Sequence, residues 1–433
     1  MARAVVVAAP SSGSGKTIVT LGLLRAFRDA GVAVASAKIG PDYIDPRFHE
    51  AASGRACLNL DGWAMRRDRA LALAHEAGRG AEILVVEGVM GLFDHAAERG
   101  IEGHGGTADV AAMLGAPVVL VLDASGMAQS AGAIARGFAD FRDDVEVAGV
   151  ILNRVASPRH EALLRAGCDA AGVPVIGALP RTTELRTPSR HLGLVQAEEL
   201  PELDALLASA ARLVAAHVDL DALRAIARTA PRPGARLASP PLRPLGQTIA
   251  VAADAAFRFS YPHLLAGWRE AGAELSFFSP LADEAPATAA DAIFLPGGYP
   301  ELHGGRLASA GTFRSGVRAA ANRGAAIYGE CGGYMTLGEG IVDADGAFHE
   351  MLGLLKVGTS FAARRLHLGY RSAALASDGA LGPAGAAYRA HEFHYATILH
   401  EEGEPLFRLG DGAGAGLTSG RICGSFLHVI DGG

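Results

Sequence analysis

Two stretches carry residue types that do chemistry at the spacing that chemistry needs, "GSGKT" at 13–17 and "YGECGGYM" at 328–335. In the first, Gly13, Ser14 and Gly15 let backbone N–H groups turn inward around phosphate oxygens where a helix begins. Lys16 is placed to neutralise β and γ phosphates and the Thr17 hydroxyl to hold Mg²⁺, so the stretch predicts an ATP site. Pro10 stands where the Walker A pattern has its first glycine, but a strand-like run before and a helix-like run after keep the reading. Polar residues follow apolar runs in "KIGPDYIDP", "VVEGVMGLFD" and "ILNRV". From these, Lys38 and Asn153 are expected to join the ATP contacts, Glu87 and Asp45 to join Thr17 around the metal, and Asp42, Tyr43 and Asp94 to position a substrate. For Asp42 and Asp45 the competing role is to cap a helix or turn.

In the second stretch a cysteine follows an apolar run and is fenced by small residues, the layout of a nucleophile elbow between strand and helix. A helix N-terminus there is expected to lower the Cys331 thiol pKa. A thiolate that opens an amide also needs an oxyanion hole and an acid/base partner. "FLPGGYPELH" supplies Gly297, Gly298 and Tyr299 for the first, and "GSFLHVI" supplies His428 for the second. Each alone reads as an ordinary loop, a core histidine or a buried thiol; in this order they fit amide splitting. His394 in "HEFHY" is a further histidine, with substrate contact and structural support both open.

Side chains this far apart in sequence must be brought together by strand ends. Up to about residue 190, apolar runs at 3–9, 32–38, 83–88, 117–124 and 147–154 alternate with helix-length segments, which predicts a buried parallel sheet, a doubly wound α/β domain. Ligands of such sheets bind at the carboxyl ends of strands, where these polar residues stand. The helix after the loop offers Ile18, Leu21, Leu24 and Ala26 for burial. Residues 201–228 look helical, and five prolines between Pro231 and Pro244 mark a linker. Strand and helix alternation restarts at 248–253, 273–280, 292–298 and 325–330. The expected organisation is therefore two doubly wound α/β domains: a P-loop ATP-dependent synthetase domain at 1–228, a Pro-rich linker at 229–246 and a second domain at 247–433.

Composition sets the exclusions. The chain has 433 residues, half of them hydrophobic, with 39 basic against 46 acidic residues and a net charge of −7, so it presents no basic run for nucleic acid. No run of about 18 apolar residues and no signal-like N-terminus is evident, which predicts a cytoplasmic protein without a membrane partner. Four dispersed cysteines, Cys57, Cys168, Cys331 and Cys423, form no C-x-x-C pair, against a disulfide framework or zinc site.

Taken in order, "SSGSGKT", "GPDYIDP", "VEGVMGLFD", "GMAQSA", "LNRV", "RHLGLVQAEE", "PGGYPEL", "YGECGGYM", "LGYR", "EFHY" and "SFLH" make the chain resemble the cobyrinic and hydrogenobyrinic acid a,c-diamide synthases. These are class I glutamine amidotransferases of the cobalamin pathway with an N-terminal domain similar to dethiobiotin synthetase. The resemblance implies ATP, L-glutamine and a corrinoid ring acid as partners, Cys331 as glutaminase nucleophile and His428 as its activator; a homodimer is the assembly expectation. Many class I glutaminases carry a glutamate two residues after the histidine, where this chain, like the family it resembles, has none: the place is Ile430. Whether the ring already holds cobalt stays open at this point. The alternatives are a related tetrapyrrole amidase, nickel sirohydrochlorin a,c-diamide synthase or cobyric acid synthase, or, from another class, a P-loop partitioning or switch ATPase. The last usually has a lysine where Ser11 stands and has no use for Cys331 and His428.

Overall fold

A computed structural model describes residues 2–182, 196–234 and 240–433. The chain divides into two compact units, Met1–Arg236 and Leu237–Gly433. Of the expected linker, residues 235–239 lie outside the described residues, while Arg228–Thr229 already forms a short strand. "RHLGLVQAEE" also lies largely outside them, at 190–195.

The first unit holds β1 (Arg3–Ala8), β2 (Val34–Ile39), β3 (Leu58–Leu60), β4 (Ile83–Glu87), β5 (Val118–Asp123), β6 (Val147–Val155) and β7 (Val175–Pro180), all parallel, in the order β3-β2-β4-β1-β5-β6-β7. The Arg228–Thr229 strand, β8, pairs antiparallel to β1. The five runs expected as strands are β1, β2, β4, β5 and β6; β3 and β7 went unread, β3 because three residues show no period. Both faces of the sheet are covered. Val5 and Val7 of β1 enter one apolar core with Leu23, Leu24 and Phe27, whereas Ala4, Val6 and Ala8 enter another with Val86, Val110 and Leu120.

Successive crossovers run to opposite sides of β1 and β4, so the crevice where the order reverses opens beside the carboxyl ends of these two neighbours. The phosphate-type loop follows β1 into α1 (Lys16–Asp29), and α2 (Asp45–Ser53) follows β2. On α1, Leu21, Leu24 and Ala26 are buried as expected, and Ile18 is half-buried. Gly22 lets α1 meet the Leu203–His217 helix closely: a Cβ there would stand 2.5 Å from Val214 Cγ2.

The second unit begins with β9 (Thr248–Ala252), β10 (Glu274–Phe278), β11 (Ala292–Leu295) and β12 (Ala326–Glu330), the four expected runs. It continues with β13 (Gly340–Val342), β14 (Phe348–Glu350), β15 (Val357–Ser360), β16 (His367–Leu375), β17 (Ala387–His394), β18 (Thr397–Glu401), β19 (Glu404–Leu409), β20 (Gly414–Ser419), β21 (Ile422–Ser425) and β22 (Leu427–Gly432). One sheet runs β10-β9-β11-β12-β21-β20-β19-β16-β17-β22, parallel as far as β21 and antiparallel beyond; a smaller sheet runs β14-β13-β15-β18. The antiparallel half escaped the sequence reading because strands such as β18 are exposed at nearly every position and show no apolar alternation.

Candidate functional site

At the end of β1, Gly13 (φ 83°) and Gly15 (φ 89°) hold the left-handed conformation that the inward turn requires. Gly15 has a second constraint: a Cβ would stand 2.3 Å from Asn153 Nδ2, which itself donates to the Ser14 carbonyl at 2.9 Å. Asn153 thus braces the loop from the end of β6. Arg154 beside it donates to the Gly13 carbonyl at 3.0 Å and pairs with Asp123, a contact that sequence reasoning missed.

Thr17, Lys38, Asp45 and Glu87 converge. Thr17 Oγ1 donates to Glu87 Oε1 at 2.7 Å, and Lys38 Nζ donates to Glu87 Oε1 at 3.0 Å and Asp45 Oδ2 at 2.6 Å. Burial opposes the charge on Glu87, yet Lys38 and His49 outweigh it and hold the carboxyl well below the usual carboxylate range. Lys38 is likewise buried, but Asp45, Glu87 and Asp42 raise its pKa. Lys16, on the first turn of α1, donates to the Met90 carbonyl at 2.8 Å; burial and Lys38 lower its pKa to about 8.

His49 was not anticipated. Fully buried, its Nε2 lies 2.6 Å from Glu87 Oε2 and its Nδ1 3.5 Å from Cys57 Sγ. The signal existed in the sequence, because His49 stands four residues after Asp45 on α2 and so on the same helical face. Asp42 stands apart from this carboxylate cluster in its bonds: its Oδ1 accepts from the Ile44 and Asp45 N–H groups at 2.7 and 3.1 Å, the turn-capping geometry. Burial and Asp45 raise Asp42 to about 6. Asp94 Oδ2 accepts from the Gly91 N–H at 2.9 Å within its own loop, and Tyr43 is buried.

In the second unit, Cys331 follows the last residue of β12 at φ 47° and ψ −103°, a strained backbone that turns directly into the helix Gly332–Leu337. Close packing explains the flanking glycines. A Cβ at Gly333 would stand 1.8 Å from the Leu295 carbonyl oxygen, and one at Gly332 would stand 2.9 Å from the Gly298 nitrogen. Gly298 (φ 158°) is held against the Ala256 carbonyl, and a Cβ at Gly297 would stand 2.3 Å from His428 Cε1 and 3.1 Å from Nε2. The Gly297–Gly298 loop therefore touches the His428 ring on one side and the elbow on the other. Tyr299 packs edge-on to Phe259 at 4.9 Å.

His428 arrives by a short route. The Cys331 N–H donates to the Ser425 carbonyl at 2.8 Å, at the end of β21, and His428 lies three residues on in β22. Burial, with His391 and His394 nearby, lowers the imidazole to about 3, so it is neutral at physiological pH. The thiol departs from expectation: burial and then Glu301 raise the Cys331 pKa instead of lowering it. One short helix cannot offset full burial beside carboxylates, so the resting sulfur is a thiol. His394 is stacked on Phe426 at 3.8 Å and His367 at 4.5 Å, with Nε2 3.1 Å from Glu392 and Nδ1 3.1 Å from the Ala396 carbonyl. Cys57, Cys168 and Cys423 are free and buried.

A phosphate-type loop on a parallel sheet and a cysteine elbow on a second α/β unit define a two-part class, a nucleotide-binding unit joined to an amidotransferase unit. Residues 5–195 match the CobQ/CobB/MinD/ParA nucleotide binding domain, and residues 248–432 match the CobB/CobQ-like glutamine amidotransferase domain. Along its length the chain is 54% identical to the hydrogenobyrinate a,c-diamide synthase of Brucella anthropi over 432 residues, covering 98% of each chain. It is 55% identical to that of Brucella abortus, again over 98% of each, and 54% identical to that of Rhodobacter capsulatus over 99% of each. The chain belongs to the hydrogenobyrinate a,c-diamide synthase family.

Proposed function

We propose that this protein amidates the a and c acetate carboxylates of hydrogenobyrinate, the metal-free ring acid, using ATP and glutamine in the cobalamin pathway. The observation that carries the reading is identity of 54–55% over nearly the whole of both chains to synthases of that name. The relatives' names support the metal-free ring over the cobalt-bearing one.

A carboxylate is a poor electrophile, so it must be activated before ammonia can form an amide. In this reading a synthetase domain at 1–228, within the first unit, moves the γ-phosphoryl group of ATP to the acetate, giving an acyl phosphate and ADP. Gly13, Ser14 and Gly15 offer N–H groups to the phosphates, Lys16 and Lys38 offset their charge, and Asn153 keeps the loop in shape. The donor set fits Mg²⁺: a hydroxyl and carboxylates, all hard oxygens, meet where Thr17 Oγ1 lies 2.7 Å from Glu87 Oε1. Thr17, Glu87 and Asp45 would hold the ion, which supplies charge neutralisation between phosphate oxygens. Tyr43, Asp42 and Asp94 stand in the loops that would receive the ring acid, with Asp42 and Asp94 acting by shaping those loops.

In a glutaminase domain at 247–433, within the second unit, Cys331 sulfur attacks the glutamine side-chain carbon while His428 takes the thiol proton and returns it to the departing ammonia. N–H groups of the Gly297–Tyr299 loop hold the oxyanion. Water then cleaves the thioester to glutamate, and ammonia displaces phosphate from the acyl phosphate. Cys331→Ser separates the two halves: glutamine-dependent amidation should vanish while amidation from free ammonia persists. Loss of both, read by mass spectrometry of the ring product, overturns the division.

A further inference from the structure

The place two residues after His428 is Ile430, so the carboxylate that many glutaminases use to orient their histidine must come from elsewhere or be missing. Glu330, the residue just before the nucleophile, is the last of β12 and is fully buried. Its Oε1 accepts two hydrogen bonds, from the Tyr328 hydroxyl at 2.9 Å and from the Val429 N–H at 3.1 Å. Tyr328 shares the face of β12 with Glu330 by strand alternation, and Val429 is the residue after His428. Two donors from two strands fix the carboxyl group in rotation. Its second oxygen, Oε2, is buried with no hydrogen-bond partner and lies 3.7 Å from His428 Nδ1. The opposite edge of the same ring, Cε1 and Nε2, faces Gly297, whose neighbour Gly298 packs against Gly332 of the elbow.

We propose that Glu330 is the positioning carboxylate of the glutamine-splitting site, holding His428 with its proton on Nδ1 and its Nε2 lone pair toward Cys331. The inference rests on the glutaminase reading above. Its physical need is specific. A neutral imidazole has two tautomers, and only the one with hydrogen on Nδ1 leaves Nε2 free to take the thiol proton. Closing 3.7 Å to a hydrogen bond requires a shift of under about 1 Å. Ionised, Oε2 accepts from Nδ1–H and selects that tautomer; protonated, it donates to Nδ1 and selects the other. Burial raises Glu330 to about 8, so glutamine hydrolysis should climb as pH passes through that value. The other groups facing it do not titrate there. Tyr328 and Cys331 on its own strand and elbow are raised well above, while His428 and its cross-strand neighbour His391 are lowered to about 3 and about 4.

The test is Glu330→Gln, which keeps the Oε1 acceptor and places an amide N–H against Nδ1, enforcing the wrong tautomer. Steady-state glutamine hydrolysis should fall about 100-fold or more in kcat and lose its rise near pH 8, with ammonia-dependent amidation unchanged. A kcat within about 3-fold of wild type and an unchanged pH profile overturn the proposal. If the wild type itself hydrolyses no glutamine, the underlying glutaminase reading fails instead. Should the variant lose ammonia-dependent amidation as well, Tyr328→Phe carries the test: it releases one donor from Oε1 and should lower glutaminase kcat about 3- to 10-fold. An unaltered kcat in that variant, with a circular dichroism melt like wild type, counts against Glu330.

Discussion

Around Glu87 buried side chains are kept charged by one another, whereas around Cys331 burial keeps thiol and imidazole neutral. In the first site Lys38 stands 3.0 Å from Glu87 and 2.6 Å from Asp45, and His49 closes the other Glu87 oxygen at 2.6 Å. In the second, His428 is lowered to about 3 and the Cys331 thiol is raised. The difference suits the chemistry proposed for each unit. Phosphoryl transfer needs fixed charges waiting for a polyanion, and paired neighbours make those charges tolerable in a low-dielectric crevice. Thiol attack needs charge only briefly, and a neutral resting pair avoids a permanently reactive thiolate.

The largest test of this contrast removes a fixed charge. Lys16→Ala should lower ring amidation at least about 1000-fold with either glutamine or ammonia as nitrogen source. Basal glutamine hydrolysis at Cys331 should survive, measured as glutamate release without ring acid. Equal loss of both activities would mean that the two sites do not divide the chemistry.

A second test strikes the elbow's packing. Gly333→Ala sets a Cβ 1.8 Å from the Leu295 carbonyl, backbone against backbone, so stability of the second unit should drop by about 3 kcal/mol. Differential scanning calorimetry reads this as a lowered transition. Gly13→Ala, where nothing lies within 4 Å of the new Cβ but φ is 83°, should cost about 1 kcal/mol, the strain alone.

The contrast also has a pH signature. His391 and His428 have folded pKa values depressed from 6.5 to about 4 and about 3, so the unfolded chain binds more protons than the folded chain between those values. Their contribution is present above pH 6.5 and is lost as pH falls toward 4 and then 3. Glu330, raised from 4.5 to about 8, acts in the other direction: its contribution is present below pH 4.5 and is lost as pH rises toward 8. Replacing His391 with Gln should therefore flatten the acid limb of the second unit's unfolding midpoint between pH 6.5 and 4.

The smallest effect concerns Asp42. Its oxygen caps the Ile44 and Asp45 N–H groups, so Asp42→Asn, which keeps the acceptor, should leave amidation within about 3-fold and stability within about 0.5 kcal/mol. A loss of 100-fold would return Asp42 to direct work on the substrate.

Motif residues were legible because phosphate cradles and elbows need particular residues at fixed spacing, and the parallel strands beneath them because burial on both faces leaves an unbroken apolar run. Gly13 to Thr17, Cys331 and β1, β4 and β12 were read for those reasons. Other features are contacts across the chain that no local pattern encodes. The antiparallel strands β16 and β17, partly exposed, carry little periodic signal, yet β17 pairs with the buried β22 and brings His391 beside His428. The bond from Val429 to Glu330 spans 99 positions, and it aims a carboxyl group that in sequence looks like a spacer before the cysteine. Likewise the resting protonation of Cys331 depends on full burial near Glu301, Glu330 and Glu392, which come from three separate segments. Residue type and spacing determined which chemistry this chain carries; the desolvation and alignment that decide how its groups hold their protons arose only when distant strands closed around them.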